Sequence, residues 1–94
     1  MFVRVIDRRV VLTLGDDGKD TNALKEEVKK HIQHGLQKFE FDLSRLQSVN
    51  TTGLGMIAAA VEKIKEQNCA VTITNVNSSI SSFLNMTGLE QYRK

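Results

Sequence analysis

The sequence lacks the residues on which several common classes of protein depend. Its 94 residues include one cysteine, no proline and no tryptophan. A single cysteine excludes an intrachain disulfide and argues against a cysteine-based zinc site. Basic residues number 13 against 11 acidic ones, and aromatic residues make up 5% of the chain. This is too little positive charge and too few rings for a typical nucleic-acid binder.

Long apolar stretches are also missing. No run approaches the roughly 20 residues of a membrane span, and the first residues lack the layout of a signal peptide. We therefore expect a protein of the reducing cytoplasm that neither enters a membrane nor contacts nucleic acid directly. Apolar residues (40%) and charged residues (26%) occur in the proportions of an ordinary globular domain. The length predicts one domain, 1–94.

The hydrophobic pattern changes period along the chain and predicts the element order β-β-α-β-α-β-α. Two β-branched runs, 2–6 and 10–14, predict a hairpin, and alternating residues predict strands at 39–43 and 70–74. Helical spacing predicts three helices that start near Thr21, Thr51 and Asn77 and stop near Gly35, Asn68 and Gly88. The segment 15–20 is predicted as a polar loop, and the tail 90–94 is expected to fray. Alternating strands and helices favour an α/β fold with a parallel sheet.

Few residues could support catalysis or metal binding. His31 and His34 share one side of the first helix but lack a convincing set of further ligands. Cys69 has no recognisable base nearby in the sequence and is predicted to be a small buried residue. The Asp16–Asp17 pair lies in a glycine-flanked loop and is typical of a solvated turn. We predict that the protein is not an enzyme and needs neither a metal nor another cofactor.

One short segment, Asn50–Gly55, is unusual for a helix start. Two threonines are followed by Gly53 and Gly55, and each glycine inside a helix costs about 1 kcal/mol relative to alanine. One interpretation is structural: a threonine caps the helix and the glycines permit close packing. The other is functional: the glycines leave a hydroxyl and the first-turn amides open to a partner or a kinase. A phosphate there would lie at the favourable end of the helix dipole.

Three segments in the expected order resemble the STAS domain family, and in particular its anti-sigma factor antagonists. Phe41–Ser44 followed by Asn50–Gly55 is similar to the family's D-L-S … D-S-S-G-L-G signature. Phe83–Leu89 is similar to its closing segment, in which a phenylalanine is followed by a Gly-Leu pair. The sequence departs from the pattern at Asn50, which stands for an aspartate, and at two threonines that stand for serines.

The resemblance implies a mixed, mostly parallel sheet with an N-terminal hairpin and helices mainly on one face. It also implies a bacterial partner-switching regulator of transcription. In this role the unphosphorylated protein binds an anti-sigma factor that is also a serine/threonine kinase. The kinase phosphorylates the second hydroxyl residue of the motif, which is Thr52 here, with Thr51 as the alternative. A separate phosphatase restores the binding form.

The predicted partner surface is the start of the second helix together with the loop before the first. It comprises Asn50, Thr51, Thr52, Gly53, Leu54, Gly55, Asp20 and Thr21. Two alternatives remain open at this stage. The glycine-rich turn could hold an anion in a small-ligand or nucleotide sensor, or the domain could be a scaffold that binds without being switched.

Overall fold

The computed structural model describes residues 1–15, 18–47 and 51–94, and at residues 18–22 and 51 it describes the backbone alone. The elements occur in the predicted order. They are β1 (Phe2–Ile6), β2 (Arg9–Gly15), α1 (Gly18–Gln33), β3 (Lys38–Arg45), α2 (Thr51–Glu66), β4 (Ala70–Thr74), α3 (Ser78–Thr87) and a final 3₁₀ turn, Leu89–Tyr92.

The four strands form one mixed sheet in the order β1-β2-β3-β4. β1 pairs antiparallel with β2, whereas β2, β3 and β4 are parallel. The connections between parallel strands are right-handed in nearly all proteins. Because β2, β3 and β4 follow one another in the same direction across the sheet, α1 and α2, which connect them, lie on the same face. The two helices indeed pack against each other. The α/β class, the hairpin and the one-sided layer of helices predicted from the sequence are confirmed.

The two faces of the sheet differ in chemistry because side chains alternate along each strand. In β3, Phe39, Phe41 and Leu43 are buried beneath the helices, while Glu40 and Asp42 lie half-buried on the other face. The core under the helices is continuous and draws on every strand and helix except β1. Its fully buried members include Leu12, Leu14, Leu24, Val28, Ile57, Ile64, Ile73, Ile80 and Leu84.

The hairpin is closed by a two-residue turn of non-glycine residues. Asp7 and Arg8 have φ angles of 51° and 66°, and Ile6 pairs with Arg9 directly across the turn. Positive φ at both central residues is the type I′ geometry that matches the twist of the flanking strands. The turn is thus one residue shorter than the gap between the two β-branched runs, 2–6 and 10–14, because Arg9 begins β2.

Three helix ends follow the signals in the sequence: the start of α3 and the ends of α1 and α3. The Asn77 Oδ1 atom accepts a hydrogen bond of 2.9 Å from the backbone N–H of Ile80, which makes Asn77 the N-cap of α3. Gly35 and Gly88 have φ angles of 83° and 77° after α1 and α3, the left-handed conformation that commonly ends a helix. No helix in the described parts of the chain is long and apolar enough to cross a bilayer.

Two expectations were wrong. α1 begins at Gly18, inside the segment predicted as a loop and three residues before the predicted start near Thr21. The tail does not fray either: the Lys94 backbone N–H donates to the Ile73 carbonyl at 2.9 Å, and the Tyr92 ring lies 5.8 Å from the Lys65 ammonium. These contacts join residues far apart in sequence, which periodicity cannot reveal.

Candidate functional site

The candidate site lies at the edge of the sheet where the parallel strands end. β2, β3 and β4 finish at Gly15, Arg45 and Thr74, and the helices that follow them begin at the same edge. Loops at the carboxyl ends of parallel strands commonly collect binding residues. The α2 start therefore lies at the end of the molecule where this topology favours a functional surface.

Thr52 is an exposed residue in the first turn of α2. The helix begins at Thr51, so Thr52 lies within it rather than before it as a cap. No acidic residue occupies the first turn of α2, and the helix dipole places partial positive charge there. The position can accept a negative charge without opposing the fold.

The three residues after Thr52 divide between core and surface. Gly53 is buried, and Leu54 has a side chain only 6% exposed that belongs to the core. Gly55 is exposed, and beyond its own turn of helix no described atom lies within 4 Å of the place a Cβ would take. The packing interpretation therefore does not explain Gly55. Because Gly55 has no side chain, the helix surface three residues after Thr52 is open.

We predict that Gly55→Ala stabilises the protein by about 0.5–1 kcal/mol, because alanine is a better helix former and nothing obstructs its methyl group. Thermal or urea unfolding measures the change. Gly88→Ala is the matched control: its backbone has a φ of 77°, which alanine adopts only with strain. That control should be destabilised. A loss of stability in Gly55→Ala would mean that the helix is more closely covered than the structure indicates.

Asn77 connects the start of α3 to the segment that leads into α2. While its Oδ1 atom caps α3, its Nδ2 group donates to the carbonyl oxygens of Leu46 and Gln47, each at 3.1 Å. Leu46 is buried, so one side chain fixes two neighbouring loops against the core. The sequence predicted only that a helix starts near Asn77.

Asp42 performs a similar role on the open face of the sheet. Its Oδ1 atom accepts from the Ser44 N–H and from Asn75 Nδ2, each at 2.9 Å, and its Oδ2 atom accepts from Thr13 Oγ1 at 3.3 Å. The carboxylate therefore joins the ends of β2, β3 and β4. Partial burial alone would raise the pKa of Asp42, but the hydrogen bonds outweigh it and hold the pKa below the usual range. This network gives a physical reason for the Asp42–Leu43–Ser44 motif.

We predict that Asp42→Asn costs about 1 kcal/mol at neutral pH, because the amide keeps the shape but not the charge-assisted hydrogen bonds. A carboxyl with a lowered pKa stabilises the fold above its unfolded pKa, and this contribution is lost as the pH falls through the folded pKa. The gap between wild type and variant should therefore close in acid, as measured by urea unfolding across pH. Asp7→Asn, at an exposed turn, should change little. A gap that stays constant with pH would contradict the assignment.

The other predicted partner residues lie partly outside the described structure. Asn50 is among the residues that it does not describe. Thr51 is the first residue of α2, and Asp20 and Thr21 lie in the first turns of α1 rather than in the loop before it, but their side chains are not described. All four remain predictions, and the topology places the starts of α1 and α2 at the same edge of the sheet.

The other potentially reactive side chains are Cys69, His31 and His34. Cys69 is a free, buried thiol, as predicted. The Nδ1 atom of His31 lies 2.8 Å from the Glu27 carbonyl oxygen and 3.7 Å from its carboxylate, while His34 is exposed. Among the described residues, no three histidine, cysteine or acidic side chains are placed to hold a metal ion.

Comparison with protein families identifies the domain. The family model described as "Mlab, STAS domain" matches residues 5–94, and the chain therefore belongs to the STAS domain family. The resemblance seen in the sequence is confirmed at that level. A search among curated proteins finds no significant match.

Solved structures share the fold at low sequence identity. A proposed anti-sigma factor antagonist from Thermotoga maritima has a TM-score of 0.77 and 19% identity, with 99% of this chain and 82% of that one covered. SpoIIAA, a Bacillus cell fate determinant, has a TM-score of 0.81 and 14% identity in its phosphorylated form (99% and 87% covered). In its unphosphorylated form, the anti-sigma factor antagonist SpoIIAA has a TM-score of 0.84 and 13% identity (99% and 84% covered).

Proposed function

We propose that this STAS domain is an anti-sigma factor antagonist-type regulator that is switched by phosphorylation at Thr52. Its unphosphorylated form binds an anti-sigma factor that is also a serine/threonine kinase, in the bacterial cytoplasm. Phosphorylation releases the complex, and a phosphatase resets it. The protein contributes a surface and a hydroxyl group, while the ATP-binding site and the catalysis belong to the partner.

The observation that carries this proposal is the geometry around Thr52. The hydroxyl-bearing residue is exposed in the first turn of a helix, and the exposed Gly55 lies one turn further along. A kinase must approach its target hydroxyl closely, and the missing side chain at Gly55 removes an obstacle to that approach. The structures of SpoIIAA in two phosphorylation states support the idea that this fold can carry such a switch.

The effect of phosphorylation on the fold and on the complex depends on where the new charge would lie. A phosphothreonine carries about −1.5 to −2 charges at pH 7. At the start of α2 this charge meets the positive end of the helix dipole, so the fold tolerates it. A partner pressed against the same turn would have to desolvate the phosphate, which is costly unless it supplies cations to pair with it. The modification thus disrupts the complex and not the domain.

The experiment that tests the proposal is affinity capture from the native lysate with wild type and Thr52→Glu compared. Wild type should retain a protein with a kinase-type ATP site, and the variant should not. Gly55→Ala should retain that protein. Gly55→Gln, which places a long side chain at the open position, should release it. Capture by all four proteins alike would contradict the proposed surface. Retention of only non-kinase partners would favour the scaffold alternative.

A further inference from the structure

Exposed apolar side chains are concentrated on the first strand. Of the five large hydrophobic residues that are exposed in the described part of the chain, four lie within residues 1–6, and the fifth is Met86 on α3. In β1 the exposed fractions are 58% for Phe2, 52% for Val5 and 49% for Ile6. Phe2 and Ile6 share one face of the strand and Val5 lies on the other, so apolar side chains are exposed on both faces of β1.

The same strand forms an edge of the sheet. β1 is first in the strand order, and within the described residues its only strand partner is β2. At the opposite edge the tail covers part of β4, where Ile73 forms a parallel bridge to Arg93. Edge strands are usually protected by proline, charged side chains or a covering segment. β1 contains no proline, and its one charged residue is Arg4.

The hairpin geometry determines which backbone groups face outward. The turn joins Ile6 to Arg9, so this pair exchanges backbone hydrogen bonds, and the alternation along an antiparallel ladder gives Arg4 and Phe2 the same role toward β2. The N–H and C=O groups of Val3 and Val5 therefore point away from β2. They can accept a further antiparallel strand.

We propose that this edge pairs with β1 of a second copy to form a symmetric dimer with a continuous eight-stranded sheet. A two-fold axis perpendicular to the sheet requires one residue of β1 to lie opposite itself. With Val3 on the axis, Phe2 of each copy lies opposite Arg4 of the other. The Arg4 guanidinium already lies 5.6 Å from the Phe2 ring within one chain, and the dimer adds the same cation–π contact between chains.

The neighbouring registers are less favourable for reasons of charge and geometry. With Arg4 on the axis, two guanidinium groups would face each other in a closely spaced pair, which is destabilising. With Val5 on the axis, Val3 would pair with Asp7, whose φ of 51° takes it out of the strand conformation. The self-complementary arrangement of Phe2, Val3 and Arg4 is what identifies a second copy as the occupant.

The dimer leaves the Thr52 surface accessible. α1 packs against β2 and α2 against β4, so the start of α2 lies across the sheet from the β1 edge. Each dimer would present two separate Thr52 sites. The inference does not depend on the proposed switch, since it concerns a different edge of the domain.

Sedimentation velocity of the purified chain up to about 1 mM tests the dimer, because a short strand pair buries a small interface and binds weakly. The average mass should rise with concentration from 10.5 kDa toward twice that value. Phe2→Lys should weaken association at least tenfold, since each lysine would face Arg4 of the other copy. Phe2→Glu should retain it, since the new carboxylate faces the same arginine. Met86→Lys is the control with the same charge change on an equally apolar exposed residue.

Thiol cross-linking tests the register independently. With a short bifunctional thiol reagent, Val3→Cys should cross-link to itself, whereas Val5→Cys should not, and the buried Cys69 makes wild type the control. A wild type that stays monomeric over the whole range, or a pair of Phe2 variants that behave alike, would overturn the proposal. Self-linking of Val5→Cys alone would overturn the register.

Discussion

Thr52→Glu should weaken binding of the purified kinase partner at least about 100-fold, equivalent to about 2.7 kcal/mol, while the melting temperature stays within a degree or two of wild type. The carboxylate lies in the first turn of α2, where it interacts favourably with the helix dipole. The same charge is costly at an interface that excludes water. Titration calorimetry and thermal unfolding on the same preparations separate the two effects.

Gln67→Glu is the matched control for this experiment. It adds the same charge just beyond the other end of α2, on an exposed residue. A 16-residue helix is about 24 Å long, well over a Debye length at physiological salt. The control should bind like wild type. If both variants lost affinity equally, binding would respond to net charge and not to the Thr52 surface.

Asn77→Ala should cost about 2 kcal/mol in unfolding free energy, the second large effect that we expect. The substitution removes the α3 cap, which is typically worth about 1 kcal/mol, and leaves two carbonyl oxygens without their donor. Urea unfolding measures the loss. Asn85→Ala, at an exposed position of the same helix, should change little. Equal small losses in both would show that Asn77 does not connect the two loops.

Asn77→Asp separates the two roles of this side chain. A carboxylate still caps α3, but it cannot donate to Leu46 and Gln47 and instead repels their carbonyl oxygens. We expect a smaller loss of global stability than in Asn77→Ala, together with faster hydrogen exchange in the peptide between β3 and α2. Partner binding should weaken about tenfold, because the start of α2 would be less well positioned. Unchanged exchange would limit Asn77 to its capping role.

Local signals in the sequence predicted most of the fold. The β-branched runs identified the hairpin, the alternation of Phe39, Phe41 and Leu43 identified β3, and glycine and asparagine marked the helix ends. α1 was placed too late because the residues after Gly18 are polar and resemble a loop. The apolar repeat of α1 begins only after residue 22, so periodicity could not mark the earlier start.

Long-range polar contacts were beyond the reach of the sequence. Asp42 is part of a recognisable motif, but nothing local indicates that Thr13 and Asn75, 29 and 33 residues away, would donate to its carboxylate. A helix start was predicted near Asn77, yet the contact of Asn77 with Leu46 depends on how β3 and β4 lie side by side. The exposure of Thr52 and Gly55 agrees with the interpretation of a glycine-opened helix start, while their role in binding or phosphorylation stays a prediction.

Leu54 belongs to the motif but has a structural role. It lies inside the segment Asn50–Gly55, yet its side chain is buried in the core. Burial therefore separates the residues of this segment that anchor the helix from those that are open to solvent. The exposed part of this segment in the described structure is Thr52 and Gly55.

Mapping the phosphorylation site tests the central claim most directly. The purified chain is incubated with the captured kinase and ATP, and the modified residue is located by mass spectrometry in wild type, Thr51→Ala and Thr52→Ala. We predict one phosphoryl group on Thr52 in wild type, retained in Thr51→Ala and absent in Thr52→Ala. Modification at another residue, or none while the kinase phosphorylates itself or a control substrate, would contradict the account.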